Sequence, residues 1–110
     1  MRNNFDFYIS SSSKNKMKRI KLTRKITYQD QTKSILKKYC SFPVEEIYKI
    51  IESNLNNLNN VNTNLLTINR LDIEKENAHL RKVFNALLTK LPRLEYREFI
   101  FLLIEDHFSS

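Results

Sequence analysis

The sequence predicts an all-α fold, a small bundle of three or four helices that includes one long coiled-coil-like helix. Apolar residues recur at three- and four-residue spacing through most of the chain from residue 44 onward. The chain contains no glycine, which disfavours a turn-rich β-sandwich. Its 110 residues are enough for one domain, and a chain of this size gains stability when it oligomerises.

Basic residues are concentrated at the N-terminus. Residues 1–25 hold eight basic residues and one acidic residue, Asp6, so their net charge of +7 equals that of the whole chain. We therefore predict a basic N-terminal arm at residues 1–26 and a helical domain at residues 27–110. Alternating apolar residues at 4–9 and 18–28 favour a short β-hairpin, and a disordered arm that orders on binding is the alternative.

The first helix of the helical domain is predicted to begin near Thr27, which has the spacing of a capping pair with Asp30. It should end near Ser41, because the residue before Pro43 is disfavoured in a helix. Pro43 is then well suited to the first turn of the next helix.

The long helix is predicted for residues 44–68, whose apolar spacing is typical of a coiled-coil seam. We assign the oligomer interface to this seam, with Asn54 as a buried polar residue that fixes the register. Because asparagine is a poor helix former and is frequent here, the alternative is a loop at residues 59–64 between two shorter helices. The predicted interface residues are Ile47, Ile51, Asn54, Leu58, Val61, Leu65 and Ile68.

Two further helices are predicted, one at residues 72–91 and one from Pro92 to the C-terminal region. Residues 99–104 are apolar on every side, so the last helix is either central in the fold or docks a partner. A strand at residues 98–104 is the alternative.

The composition also excludes several classes of site. Phosphate-binding loops, dinucleotide-binding fingerprints and nucleophile elbows all need glycine. Cys40 is the only cysteine, so there is no intramolecular disulfide and no cysteine-based zinc site. His79 and His107 fall on different predicted helices. We therefore predict no catalytic residue, no metal site and no cofactor, and we expect a protein that is not an enzyme.

The sequence favours a reducing, cytoplasmic location, which includes a nuclear or nucleoid-associated one. No apolar run approaches the roughly 18 residues of a transmembrane helix, and no secretory signal is evident. Organellar import is the alternative, because the N-terminus is basic, rich in serine and poor in acidic residues.

The basic arm is the only group of residues that indicates a mechanism. Lysine and arginine neutralise phosphates and release condensed counterions, whether the partner is DNA or RNA. Phe5, Phe7, Tyr8 and Tyr28 are candidates to stack on unpaired bases. The predicted nucleic-acid-binding residues are Lys14, Lys16, Lys18, Arg19, Lys21, Arg24 and Lys25.

The leading functional interpretation is a non-enzymatic accessory or regulatory protein that associates with nucleic acid. Its helical body would oligomerise and its arm would bind the phosphate backbone. The alternative is a protein-interaction adaptor, or a subunit of a larger complex, that binds a protein partner or a second copy through its apolar helices. A third interpretation is binding to an anionic membrane surface.

Overall fold

The computed structural model describes residues 3–59 and 61–109. Outside the described residues lie positions 1 and 2 of the predicted arm, position 60 of the predicted long helix and position 110 of the predicted helical domain. Short 3-10 turns at Leu55–Leu58 and Arg70–Ile73 precede β2 and α4. The elements follow the order β1 (Asn4–Ser10), α1 (Ser11–Arg24), α2 (Tyr28–Cys40), α3 (Val44–Asn54), β2 (Thr63–Asn69), α4 (Glu74–Leu87) and α5 (Tyr96–Ser109).

The prediction of an all-α bundle is wrong, although most of the chain is helical. The described residues form five α-helices, rather than three or four, and an antiparallel sheet of two strands. β1 pairs with β2 from Asn4 opposite Asn69 to Ser10 opposite Thr63. The alternation near the N-terminus was therefore a strand signal, but the partner strand lies far along the chain and not at residues 18–28.

The single long helix predicted at residues 44–68 is also wrong. α3 ends at Asn54, and the chain resumes as a strand after the 3-10 turn. The Asn54 side chain donates from Nδ2 to the main-chain oxygen of Ile50 at 2.8 Å, and its Oδ1 accepts from Asn57 at 3.0 Å. Such local bonds let asparagine end a helix by offering the backbone other partners.

The second half of that segment follows a period of two rather than the helical period. Leu66 and Ile68 are buried, whereas Leu65 and Thr67, which alternate with them along the chain, are exposed. This is the pattern of a strand with one buried face. The alternative of a loop at residues 59–64 between two shorter helices is right about the break, since α3 ends at Asn54 and residues 59, 61 and 62 are in no helix or strand. It is wrong about the second helix, because the strand β2 follows.

The described part of the basic arm predicted at residues 1–26 forms a strand and a helix that belong to the core. Phe5, Phe7 and Ile9 alternate along β1 and are buried, in a strand that contacts α5. Met17 of α1 is fully buried. Neither the β-hairpin nor the disordered arm is present, since residues 18–24 are helical.

Two helix boundaries set by local chemistry, those at Thr27 and Pro43, were predicted well, whereas the helix start at Pro92 was not. Thr27 caps α2 by accepting a hydrogen bond from the Asp30 N–H at 3.1 Å. α3 begins directly after Pro43. The helix predicted at residues 72–91 is the shorter α4, and the last helix begins at Tyr96 rather than at Pro92.

The core is built around α5, which contacts β1 and every other helix. Residues 99–104 are all buried, so the first of the two expectations for this helix is confirmed and the strand alternative is wrong. The rings of Phe84, Tyr96 and Phe99 lie within 5.9 Å of one another, centroid to centroid. The C-terminal end of α5 lies beside α1, so α5 also positions α1 and its basic residues.

Candidate nucleic-acid interface

α1 carries most of the predicted nucleic-acid-binding residues, and its N-terminus is firmly anchored. The Ser10 side chain caps the helix by accepting a hydrogen bond from the Ser13 N–H at 3.0 Å. The hydroxyl groups of Ser10 and Ser13 both donate to one carboxylate oxygen of Glu105 in α5. This arrangement holds the first turn of α1 against α5.

The sequence of α1 favours a helix with one narrow inward face. Lysine, arginine and methionine are good helix formers, and six of the fourteen residues are basic while none is acidic. Ser13 and Met17 are buried, and Ile20 is half-buried on the same side. Lys18, Arg19, Lys21 and Arg24 are exposed, so much of the rest of the helix is a cationic surface.

Three of the seven predicted cations make contacts within the fold. The Nζ atoms of Lys14 and Lys21 lie 5.3 Å and 4.6 Å from the centroid of the Tyr28 ring. The Nζ atom of Lys16 donates to the main-chain oxygen of Phe108 at 2.8 Å. These side chains help to hold α1 on α2 and α5, so binding to a phosphate would compete with contacts inside the fold.

The other four cations form what we call the outer cationic face: Lys18, Arg19, Arg24 and Lys25. All four are exposed. Among residues 3–59 and 61–109, none of these four side chains forms a hydrogen bond, an ion pair or a cation–π contact. The ion pair in this part of the chain joins Lys33 to Asp72 at 3.7 Å and involves none of them. No carboxylate of the described residues therefore neutralises the outer cationic face.

Beside α1, the second half of α2 adds further positive charge that the sequence-based prediction missed. Lys37 and Lys38 are both exposed, and Lys38 Nζ lies 3.2 Å from Nδ1 of His107 in α5. Burial lowers the pKa of His107, the Lys38 ammonium lowers it further, and Asp106 opposes this by raising it. No sequence signal indicated this contribution, because it depends on α1 packing beside α2.

The aromatic residues proposed for base stacking are placed very differently from one another. Phe5 and Phe7 are buried in the core and face no solvent. Tyr28 is half-buried beneath Lys14 and Lys21. Tyr8 is exposed, but it lies on the outward side of the sheet, opposite Leu65. None of them sits on the outer cationic face.

The structure does not bring the predicted oligomer-interface residues together as one seam. Ile47, Ile51 and Ile68 are buried in the core of the chain itself. Leu58 and Val61 are half-buried against that core, and Asn54 lies 3.4 Å from the carboxylate of Asp106 in α5. Leu65 is 51% exposed on the strand β2. Oligomerisation of the chain stays a prediction.

The described residues contain neither a candidate metal site nor a helix that could span a membrane. In residues 3–59 and 61–109, no three side chains of histidine, cysteine, aspartate or glutamate come together as a candidate metal site. Within the same residues, every helix is too short or too polar to cross a lipid bilayer.

Comparison of the chain with protein-family models, with curated proteins and with solved structures found no match in any of the three.

Proposed function

We propose that the chain is a non-enzymatic accessory or regulatory protein that binds the phosphate backbone of nucleic acid through the outer cationic face of α1. The observation that carries this proposal is the set of four exposed cations that no described carboxylate neutralises. Such a surface favours a polyanion as the partner, because each contact with a phosphate releases condensed counterions and so contributes to the affinity. A cytoplasmic location, nucleoid or nucleus included, is part of the proposal.

A folded helix changes how the predicted arm would bind. The cations of a disordered arm become ordered only on binding, which costs conformational entropy. On α1 the backbone is already ordered, so the cost falls mainly on the side chains of Lys18 and Arg19 and their neighbours. Contacts of this kind go to phosphate groups and carry no base information, so we expect similar affinity for different sequences.

The experiment is a titration of labelled DNA and RNA by fluorescence anisotropy over a series of salt concentrations. If the four cations of the outer cationic face each neutralise one phosphate of duplex DNA, the log-log slope of affinity against salt should be about −3 to −4, since each contact contributes about 0.9. Binding that does not change with salt would contradict the proposal, and so would no binding at low salt.

A double variant tests whether the outer cationic face is the binding surface. Lys18→Gln with Arg19→Gln should reduce the slope by about 2 and weaken binding to all sequences alike. Lys82→Gln with Arg93→Gln is the matched control, because it removes one lysine and one arginine from exposed positions outside α1. An equal loss in the control variant would mean that only the net charge of the chain matters.

The adaptor remains a second candidate, and one surface favours it. Tyr8 and Leu65 lie opposite each other on the exposed side of the sheet. Tyr8 also borders a pocket of about 310 Å³ whose apolar lining includes Leu58, Val61 and Phe101. A protein partner or a second copy of the chain would cover this surface. If the chain is an adaptor, the intact chain should not bind DNA, RNA or anionic vesicles at low salt. Binding to the vesicles alone would favour the interpretation that the chain binds an anionic membrane surface.

A further inference from the structure

A cleft of about 230 Å³ lies where the C-terminal end of α1 meets α2 and the C-terminal end of α5. Its apolar lining includes Ile20, Ile35 and Phe108. Arg24 of α1 and Ser34 of α2 also line it, and both are exposed at the surface. Because Arg24 belongs to the outer cationic face, the cleft adjoins the surface proposed to bind phosphate.

Gln31 forms part of the wall of the same cleft, and hydrogen bonds within the fold hold its side chain in place. The residue is only 6% exposed, and its Nε2 donates to the main-chain oxygens of Met17 at 3.0 Å and of Ile26 at 2.9 Å. Since both partners are carbonyl oxygens, the nitrogen end of the amide is fixed and the oxygen end is left over. No described residue donates to Gln31 Oε1. That oxygen is itself buried, so Gln31 closes the wall of the cleft and is not a contact for a ligand.

The charges around the cleft favour an anionic partner. No carboxylate is among the described residues that line it. Arg24 is on one side, and His107, which lines the cleft as well, is in contact with the Lys38 ammonium. Asp106, which precedes His107 in the chain, accepts a hydrogen bond from the Tyr39 hydroxyl group. Neither Asp106 nor Tyr39 lines the cleft.

The size of the cleft limits what can enter. It is smaller than the roughly 300–1,000 Å³ of pockets that enclose drug-sized ligands, so it suits one flat ring system rather than a whole cofactor. A nucleobase has apolar faces that suit the isoleucine and phenylalanine walls. In a duplex these faces are stacked and the edges of the bases are paired, so only an unpaired base could be inserted.

We propose that the cleft between α1, α2 and α5 receives one unpaired base of a single-stranded nucleic acid. The faces of the base pack against Ile20, Ile35 and Phe108, and the adjoining phosphate contacts Arg24 and the rest of the outer cationic face. This inference rests on the proposed function, and it specifies single-stranded nucleic acid as the partner. Because every base has apolar faces that can pack in this way, little discrimination among bases is expected.

The test compares two oligonucleotides of equal length and charge, one of deoxycytidine and one made only of abasic sites. The intact protein should bind the base-bearing strand about tenfold more tightly, a modest value for one stacked base. Ser34→Phe should remove this preference by filling the cleft from its exposed rim, while affinity for the abasic strand stays unchanged. Ser53→Phe is the matched control, since Ser53 is also exposed on a helix but does not line the cleft.

A second measurement follows the base directly. One 2-aminopurine placed in the deoxycytidine strand should change its fluorescence when the intact protein or Ser53→Phe binds, and should change less with Ser34→Phe. Circular dichroism checks that both variants keep the helical content of the intact chain. Equal affinity for the two strands, with salt dependence retained, would overturn the base site and leave the phosphate surface standing. No binding of either strand at low salt would overturn both proposals.

Discussion

At the scale of single residues, Lys25 has a backbone conformation that lysine rarely adopts. It ends α1 in the left-handed region at φ 61° and ψ 32°, and its N–H donates to the main-chain oxygen of Lys21 at 3.1 Å. A residue with a Cβ pays about 1–2 kcal/mol for this conformation, whereas glycine adopts it freely. The chain has no glycine, so this helix ends with a strained residue that is also a member of the outer cationic face.

Lys25→Gly should therefore separate stability from binding. We expect the free energy of unfolding to rise by about 0.5–1 kcal/mol, because the relief of strain exceeds the extra chain entropy that glycine has when unfolded. The same change should reduce the log-log salt slope for duplex DNA by about 1. Urea denaturation and the salt titration measure the two effects. A more stable variant with an unchanged slope would remove Lys25 from the binding surface.

Tyr39 is the residue from which we expect the clearest dependence on pH. Its side chain is fully buried, and its hydroxyl group donates to Asp106 Oδ2 at 2.6 Å. Burial raises the pKa of Tyr39 far above its usual value of 10.0, and the bond to Asp106 raises it further. Burial also raises the pKa of Tyr96. The folded chain thus keeps these protons at a pH where the unfolded chain has lost them.

The sign of the effect follows from this difference in proton binding. The contribution of Tyr39 is complete below pH 10.0 and is lost as the pH rises above it, because ionisation then favours the unfolded chain. Tyr39→Phe should lower stability at neutral pH by about 1.5–3 kcal/mol, as expected for a hydrogen bond to a charged group. It should also make the fall in stability above pH 10.0 less steep. Urea denaturation over an alkaline pH series measures both, and an unchanged alkaline slope would contradict this role.

At the scale of elements, boundaries set by neighbouring residues were predictable, and pairings over long distances were not. The Thr27 cap and the start of α3 after Pro43 depend on a few adjacent residues. The pairing of Phe7 with Leu66 depends on residues far apart in the chain. Helical and strand spacing both fit residues 63–69 over such a short distance, so the sequence alone did not distinguish Leu65 from Leu66 as the buried side chain.

α1 was missed because its inward face is so small. Apart from Met17 and Ile20, almost nothing apolar marks the side that packs, and Leu22 is 63% exposed. The alternation of Ile20 and Leu22 therefore indicated a strand that does not exist. The helix is specified instead by the Ser10 cap and by the high helix propensity of lysine, arginine and methionine.

The candidate site was predictable in composition but not in detail. Counting charges identified the segment that holds all seven cations. Only the fold separates Lys14, Lys16 and Lys21, which contact other helices, from the outer cationic face. The cleft at Gln31 had no sequence signal, because it exists only where the ends of α1 and α5 meet α2.

At the scale of the whole molecule, the segment that holds the charge also builds the core. Phe5, Phe7 and Ile9 of β1 and Met17 of α1 are all among the buried apolar residues. Full burial of such side chains stabilises a protein by about 1.5–3 kcal/mol each. Together these four contribute on the order of 6–12 kcal/mol, which is similar to the whole stability of a small domain.

Deletion of residues 1–25 should consequently unfold the chain, whereas the sequence alone predicted a basic arm separate from the helical domain. Without β1, the strand β2 has no partner among the described strands and its buried residues Leu66 and Ile68 become exposed. Circular dichroism and thermal melting of the truncated chain measure the outcome. A cooperative melt with the helical content expected of α2 to α5 would contradict this account. Loss of binding after truncation would therefore say nothing about the role of the charges. The appropriate test of the outer cationic face is the pair of glutamine variants at Lys18 and Arg19, because they leave the core intact.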